Sequence, residues 1–227
     1  MNKKNYLLDL NNSKKPFIIY KSDKGFDLYT DFSKKIILNN NNIEKFINKN
    51  NRLKLPYKET DLFIGFFGYE ILNNLIEVKI KKQKTINFPK GIFYKPETKI
   101  KLPNNLEYKK TRSLNSNDLF KININKKSYK VIFDKFKKKI KSGETYQIKI
   151  CTKYSNKSKI DALDFFSRLV KSNMAPEAFM IKDKNYSIIS CSPENLITKK
   201  NNFITTKPIA GTLKKTKKLN KNKALTF

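Results

Sequence analysis

The chain contains no histidine. Proton transfer near neutral pH therefore falls to Glu, Asp, Lys or Tyr, and hydrolase triads built on an imidazole are excluded for this chain taken alone. The two cysteines, Cys151 and Cys191, are too few for a disulfide framework and cannot complete an ordinary zinc pattern without histidine. They are expected to be buried thiols, and no metal ligands are assigned. Three short stretches remain as candidate chemistry. In residues 145–154 (TYQIKICTKY) the alternation puts Tyr146, Ile148 and Ile150 on one face of a strand and Gln147, Lys149 and Cys151 on the other, so that one face can line a pocket. Residues 190–197 (SCSPENLI) carry Glu194 just after a proline; taken alone it is a solvated carboxylate following a turn. Residues 207–212 (KPIAGT) form a turn whose Gly211 lets backbone amides approach a ligand closely.

Several elements must hold these residues. Residues 126–141 carry Tyr129, Ile132, Phe133, Phe136 and Ile140 at helical spacing with lysines on the outer face, which predicts an amphipathic helix ended by Gly143. A second helix is expected over 161–172, with Leu163, Phe166, Leu169 and Val170 as its buried stripe and Asp161 or Ser158 at its start. Three short strands follow (AFMIKD, YSIISC, NLITKK), then a fourth in NFITT leading to Pro208. Nearer the N-terminus, PFIIY at 16–20 and FDLY at 26–29 read as strands around a turn at 23–25, and 43–48 as a helical turn. The apolar stretch 62–80, punctuated by Gly65 and Gly68, is expected in the core. Residues 81–121 turn polar and hold Pro89, Pro96 and Pro103; they read as a connecting region with one strand, GIFY.

With 227 residues and 38% apolar content, a real core can form. The net charge of +31 is almost all lysine, since Arg52, Arg112 and Arg168 are the only arginines, and it is spread along the chain among Asn and Ile. That spread resembles AT-rich codon usage. A reader of nucleic acid leans on Arg forks gathered on one face, so nucleic-acid binding stays a distant alternative while attraction to an anionic substrate stands. No apolar run reaches the roughly 18 residues needed to span a bilayer, and MNKKNYLLDLNNSKK is too polar for a secretory signal. A cytoplasmic protein is expected.

Residues 128–212 resemble the chorismate-binding domain shared by anthranilate, aminodeoxychorismate, isochorismate and salicylate synthases. The likeness rests on SGETYQIKI (142–150), SCSPENLI (190–197) and KPIAGT (207–212) in order, and more loosely on GFFGYE (65–70). It implies a two-layer α/β sandwich of mainly antiparallel sheets with flanking helices, here truncated: residues 1–121 would be the N-terminal region and 122–227 the first part of the catalytic domain. By resemblance to isochorismate-forming relatives, Glu194 is the general acid for loss of the chorismate C4 hydroxyl. Gln147 stands where those relatives carry the lysine that activates water, so ammonia is the expected nucleophile. Ala210 replaces the nucleophilic lysine of many aminodeoxychorismate synthases, and Gly211 and Thr212 are expected to hold a substrate carboxylate. The resemblance favours the large subunit of anthranilate synthase, with aminodeoxychorismate synthase as the alternative. It further implies Mg²⁺ held by residues this chain does not carry, ammonia from a glutamine amidotransferase subunit, and no activity for the chain alone. The tryptophan-sensing signature Leu-Leu-Glu-Ser is met by Phe17-Ile18-Ile19-Tyr20-Lys21-Ser22, which keeps only the serine, and the loop 173–179 (NMAPEAF) also departs from the regulated type.

Overall fold

The computed structural model describes residues 3–22, 24–49, 58–71, 88–106, 108, 120–158, 160–200, 202–209 and 216. Two compact units are present, one built from residues 1–108 and 165–227, the other from 109–164.

The first unit is organised on a six-stranded antiparallel sheet. Strand β1 (Phe17–Ser22) lies between β2 (Gly25–Ile37) and the distant β7 (Glu177–Lys182), with Ile18 opposite Tyr29 on one side and Ile19 opposite Met180 on the other. Strand β8 (Ser187–Ser192) closes one edge against β7; β4 (Gly91–Leu102) follows β2 on the other side, and β3 (Ile64–Phe67) covers the start of β4. The order is β3-β4-β2-β1-β7-β8. The turn into β2 needs glycine: Gly25 has φ 128°, and a Cβ there would sit 2.6 Å from the Leu102 carbonyl oxygen. A hairpin of β9 (Thr198–Lys200) and β10 (Phe203–Thr205) stands apart from the sheet.

Both faces of the sheet are buried near β1. Phe17 and Ile19 are fully buried on one face, while Ile18 on the other joins Tyr29, Ile92, Tyr94 and Ile181. Helix α1 (Lys3–Asn12) and helix α4 (Ala162–Asn173) flank the sheet; the short α2 (Ile43–Lys49) buries Ile43 against Leu38 and Ile71. Phe166 of α4 meets Phe26 edge to face at 6.0 Å. Tyr108 ties the two long helices, its hydroxyl accepting from Asn11 Nδ2 and its carbonyl from the Ser167 hydroxyl. At the start of α4, the Asp161 carboxylate accepts the N–H groups of Leu163 and Asp164 at 3.1 and 3.0 Å, the N-cap expected there.

In the second unit, helix α3 (Lys126–Lys141) lies between two-residue strands β5 (Lys121–Ile122) and β6 (Tyr154–Ser155), which pair with each other. Asn125 caps it, its side chain accepting from Ser128 N–H at 2.8 Å. Its end is a Schellman motif: Gly143 N–H donates to Ile140 O, Glu144 N–H to Lys139 O, and Gly143 takes φ 76°.

The mixed architecture, an antiparallel sheet with flanking helices, is the fold class expected. Three local expectations are corrected. Residues 91–102 are a full strand rather than part of a connector. Pro96 is tolerated because it sits opposite Phe32, where the β2–β4 register shifts, and beyond the end of β3; a sheet accepts a residue without an N–H at such places. Residues 145–153 do not form a strand, and only Tyr154–Ser155 pairs: alternation cannot make a strand without a neighbour to hydrogen-bond, and among the described residues none pairs with 145–152. Helix α1 was not foreseen, because its apolar contribution is mainly Leu7 and Leu10 in a polar sequence. Residues 72–87 and 109–119 of the expected core stretch and connector lie outside the described residues.

Candidate functional site

The site is assembled where β1, the start of β7 and the turn after β8 converge in the first unit. Glu177 opens β7 directly after Pro176, and its carboxylate accepts from two sides: Tyr20 OH at 2.6 Å and Asn195 Nδ2 at 2.8 Å. Lys21 donates to the carbonyl of Ala175, one residue after Met174, which has φ 48°. Beyond β8 the chain turns on Ser192, whose hydroxyl donates to Glu194 O at 2.8 Å and accepts the Glu194 N–H at 3.3 Å. Pro193 stiffens this turn, and Asn195 Oδ1 accepts from the Thr198 hydroxyl at 3.1 Å. Glu194 is thereby placed half-buried, with its Oε1 accepting the backbone N–H of Ile209 at 3.2 Å.

Around this junction lies a cavity of about 790 Å³ whose wall includes Tyr20, Lys21, Ser22, Glu177, Asn195 and Lys207. Two ammonium groups beside one carboxylate suit an anionic ligand. Ser22 Oγ is buried and makes no hydrogen bond among the described residues. Pro176 also lines the wall, so both segments compared above with tryptophan-sensing enzymes, 17–22 and 173–179, contribute to one cavity. Glu194 is not a wall residue; its neighbours Pro193 and Asn195 are.

Glu194 is thus joined to the segment that leads into Ala210, whereas Ala210, Gly211 and Thr212 lie outside the described residues. Gln147 belongs to the second unit, where its side chain is exposed and its carbonyl accepts from the Thr145 hydroxyl at 3.3 Å. Cys151 is exposed, contrary to the expectation of a buried thiol, because the segment carrying it is not packed as a strand. Cys191 is half-buried, and burial pushes its thiol pKa up against the lowering effect of Lys21. Tyr20, Glu177 and Asn195 were not anticipated from sequence, although Asn195 sits inside a quoted motif.

A second polar cluster lies at the far end of β7. Asp183 accepts from Lys35 Nζ at 2.5 Å, from the Tyr94 hydroxyl, from the Tyr186 hydroxyl at 3.1 Å and from the Lys184 N–H at 2.6 Å. Burial pushes this carboxyl up, but the donors outweigh it and bring the pKa down to about 2. Burial, then the bond to Asp183, raises Tyr94 far above the ordinary tyrosine range. Between β2 and β4, buried Asp27 pairs with Lys101 at 2.5 Å and Lys99 at 3.4 Å; burial and the Asp27 charge push Tyr29 up to about 12.

Among the described residues no group of three or more His, Cys, Asp and Glu is placed to hold a metal ion, and no helix is long and apolar enough to cross a membrane. The chain is similar to an anthranilate synthase component I-like protein of Synechocystis, 23% identical over 188 residues, covering 72% of this chain and 39% of the relative. It is similar to anthranilate synthase component 1 of Buchnera aphidicola, 28% identical over 201 residues (70% and 38%). Aminodeoxychorismate synthase component 1 of Bacillus subtilis matches at 29% over 92 residues (40% and 20%). The matched region amounts to under two fifths of the first two relatives' lengths. The family model described as chorismate binding enzyme matches residues 3–226, a span that takes in the Glu194 turn, the KPI segment and the sheet that holds them, and the chain belongs to that family.

Proposed function

We propose that the chain forms part of a synthase subunit that converts chorismate and ammonia to anthranilate, pyruvate and water. The observation that carries this reading is the hydrogen bond from Ile209 N–H to Glu194 Oε1, because it brings the Ser-Pro-Glu turn against the segment leading into Ala210, Gly211 and Thr212. Glu194 delivers a proton to the ring C4 hydroxyl, which leaves as water while ammonia enters at C2; the ring becomes aromatic as pyruvate departs. An amide is no base, so Gln147 does not activate water, and neutral ammonia needs no such help. Ala210 has no amine with which to form a covalent intermediate, which favours anthranilate. The Gly211 N–H and the Thr212 hydroxyl are assigned to a substrate carboxylate. Ammonia comes from a glutamine amidotransferase subunit. Magnesium, implied by the resemblance, is assigned to groups other than the described residues, which provide no cluster that fits it; no step here is routed through it.

Aminodeoxychorismate is the second product to consider, because 17–22 keeps only Ser22 of the tryptophan-sensing signature and relatives named aminodeoxychorismate synthase component 1 also match. The test mixes this chain with the part of the Buchnera component 1 that follows its matched region, adds chorismate and ammonium, and follows anthranilate fluorescence. Anthranilate should form, and Glu194→Gln should slow it about 10²- to 10⁴-fold. Aminodeoxychorismate in its place would assign the chain to the folate branch. Absence of either product from a mixture shown to associate would remove the reading.

A further inference from the structure

The cavity beside β1 carries charge that the reaction assigned to Glu194 does not use. Lys21 is half-buried, and its ammonium group donates to the Ala175 carbonyl. An ammonium has three donors, so this bond fixes the group without exhausting it. Lys207 joins the same wall from the segment after β10, at an exposed position. The carboxylate among them is already engaged, since Glu177 Oε2 accepts from the Tyr20 hydroxyl and Oε1 from Asn195 Nδ2. A ligand ammonium would have to displace one of these bonds in the presence of two cations. Ser22, on the same wall, has a buried hydroxyl that makes no hydrogen bond among the described residues; a ligand oxygen would give it the acceptor it lacks. Pro176, Pro208 and Ile209 also line the cavity and offer apolar surface to a carbon skeleton.

We infer that this cavity binds a small organic dicarboxylate, one carboxylate meeting Lys21 and Ser22 and the other meeting Lys207. Two cations carried by separate segments suit two separated charges better than one compact phosphate, and the apolar part of the wall suits the carbon body between them. The volume of about 790 Å³ leaves room for such a molecule. A zwitterionic amino acid fits less well. The tryptophan-sensing signature has Glu where this chain has Lys21, so the charge at that position is reversed and an ammonium is repelled there. The inference stands independently of which product the chain helps to make.

Cys191 reports on the site without reference to turnover. Lys21 lowers the Cys191 thiol pKa against the effect of burial, so an anion held at Lys21 should cancel that effect, raise the thiol pKa and slow alkylation. Exposed Cys151, in the other unit, is the internal reference. At constant pH and ionic strength, adding isophthalate to the whole chain should slow iodoacetamide labelling of Cys191 with saturation and leave Cys151 unchanged, while tryptophan affects neither. Lys21→Gln should raise the isophthalate concentration needed roughly tenfold. Lys207→Gln, at an exposed position that the fold does not depend on, should raise it roughly two- to fivefold. Slowing by tryptophan but not isophthalate, equal slowing at both cysteines, or the lack of any saturable response overturns the inference. So does saturation that is unchanged in Lys207→Gln.

Discussion

At the scale of single residues, Asp183 shows how a buried carboxylate is kept charged. Lys35, the hydroxyls of Tyr94 and Tyr186, and one backbone amide all point at it. Its pKa in the folded protein, about 2, is below the ordinary 3.8, so the stability it contributes is present above the ordinary value and lost as pH falls from about 4 towards 2. Urea midpoints measured through that window should fall for the native chain and stay flatter for Asp183→Asn. At pH 7 the variant should lose about 1.5–3 kcal/mol, the range for hydrogen bonds to a charged group. The turn that holds Glu194 could be read from sequence because Ser192, Pro193 and Glu194 are contiguous. The Tyr20–Glu177–Asn195 bonds could not: Tyr20 and Glu177 are 157 positions apart, and only the pairing of β1 with β7 brings them together.

Elements were legible where the signal is local. The periodicity of α3 with its stop at Gly143, the start of α4 at Asp161 and the strands β1, β7 and β8 are written in runs of sixteen residues or fewer. Strand β4 was obscured by Pro96, whose acceptance depends on a bulge in another strand, and 145–153 misled because alternation is only half of what a strand requires. The caps give direct tests. Gly143→Ala meets no neighbour but keeps a positive φ, so it should cost about 1 kcal/mol, visible as faster amide exchange in the last turn of α3. Gly65 is held differently: a Cβ there would lie 1.9 Å from the Ile92 carbonyl oxygen. Gly65→Ala should therefore detach β3 from β4 and lower the urea midpoint by the equivalent of about 1–3 kcal/mol.

For the whole molecule, charge and topology set the behaviour. With +31 on 227 residues, like charges repel over a Debye length of about 10 Å at 0.1 M salt. Thermal scans from about 20 to 300 mM NaCl should show Tm rising as the repulsion is screened, and a flat or falling Tm would mean that the lysines are already neutralised locally by ion pairs such as Lys101–Asp27. Strand β1 finds one neighbour, β2, across a short turn, but its other neighbour is β7, near residue 180. A ribosome adding about 5–20 residues per second needs roughly 10–30 s to make that stretch. For all of that time a strand whose first three residues are buried in the finished sheet has an open, apolar edge, so the nascent chain presents a natural substrate for a holdase until β7 has left the exit tunnel.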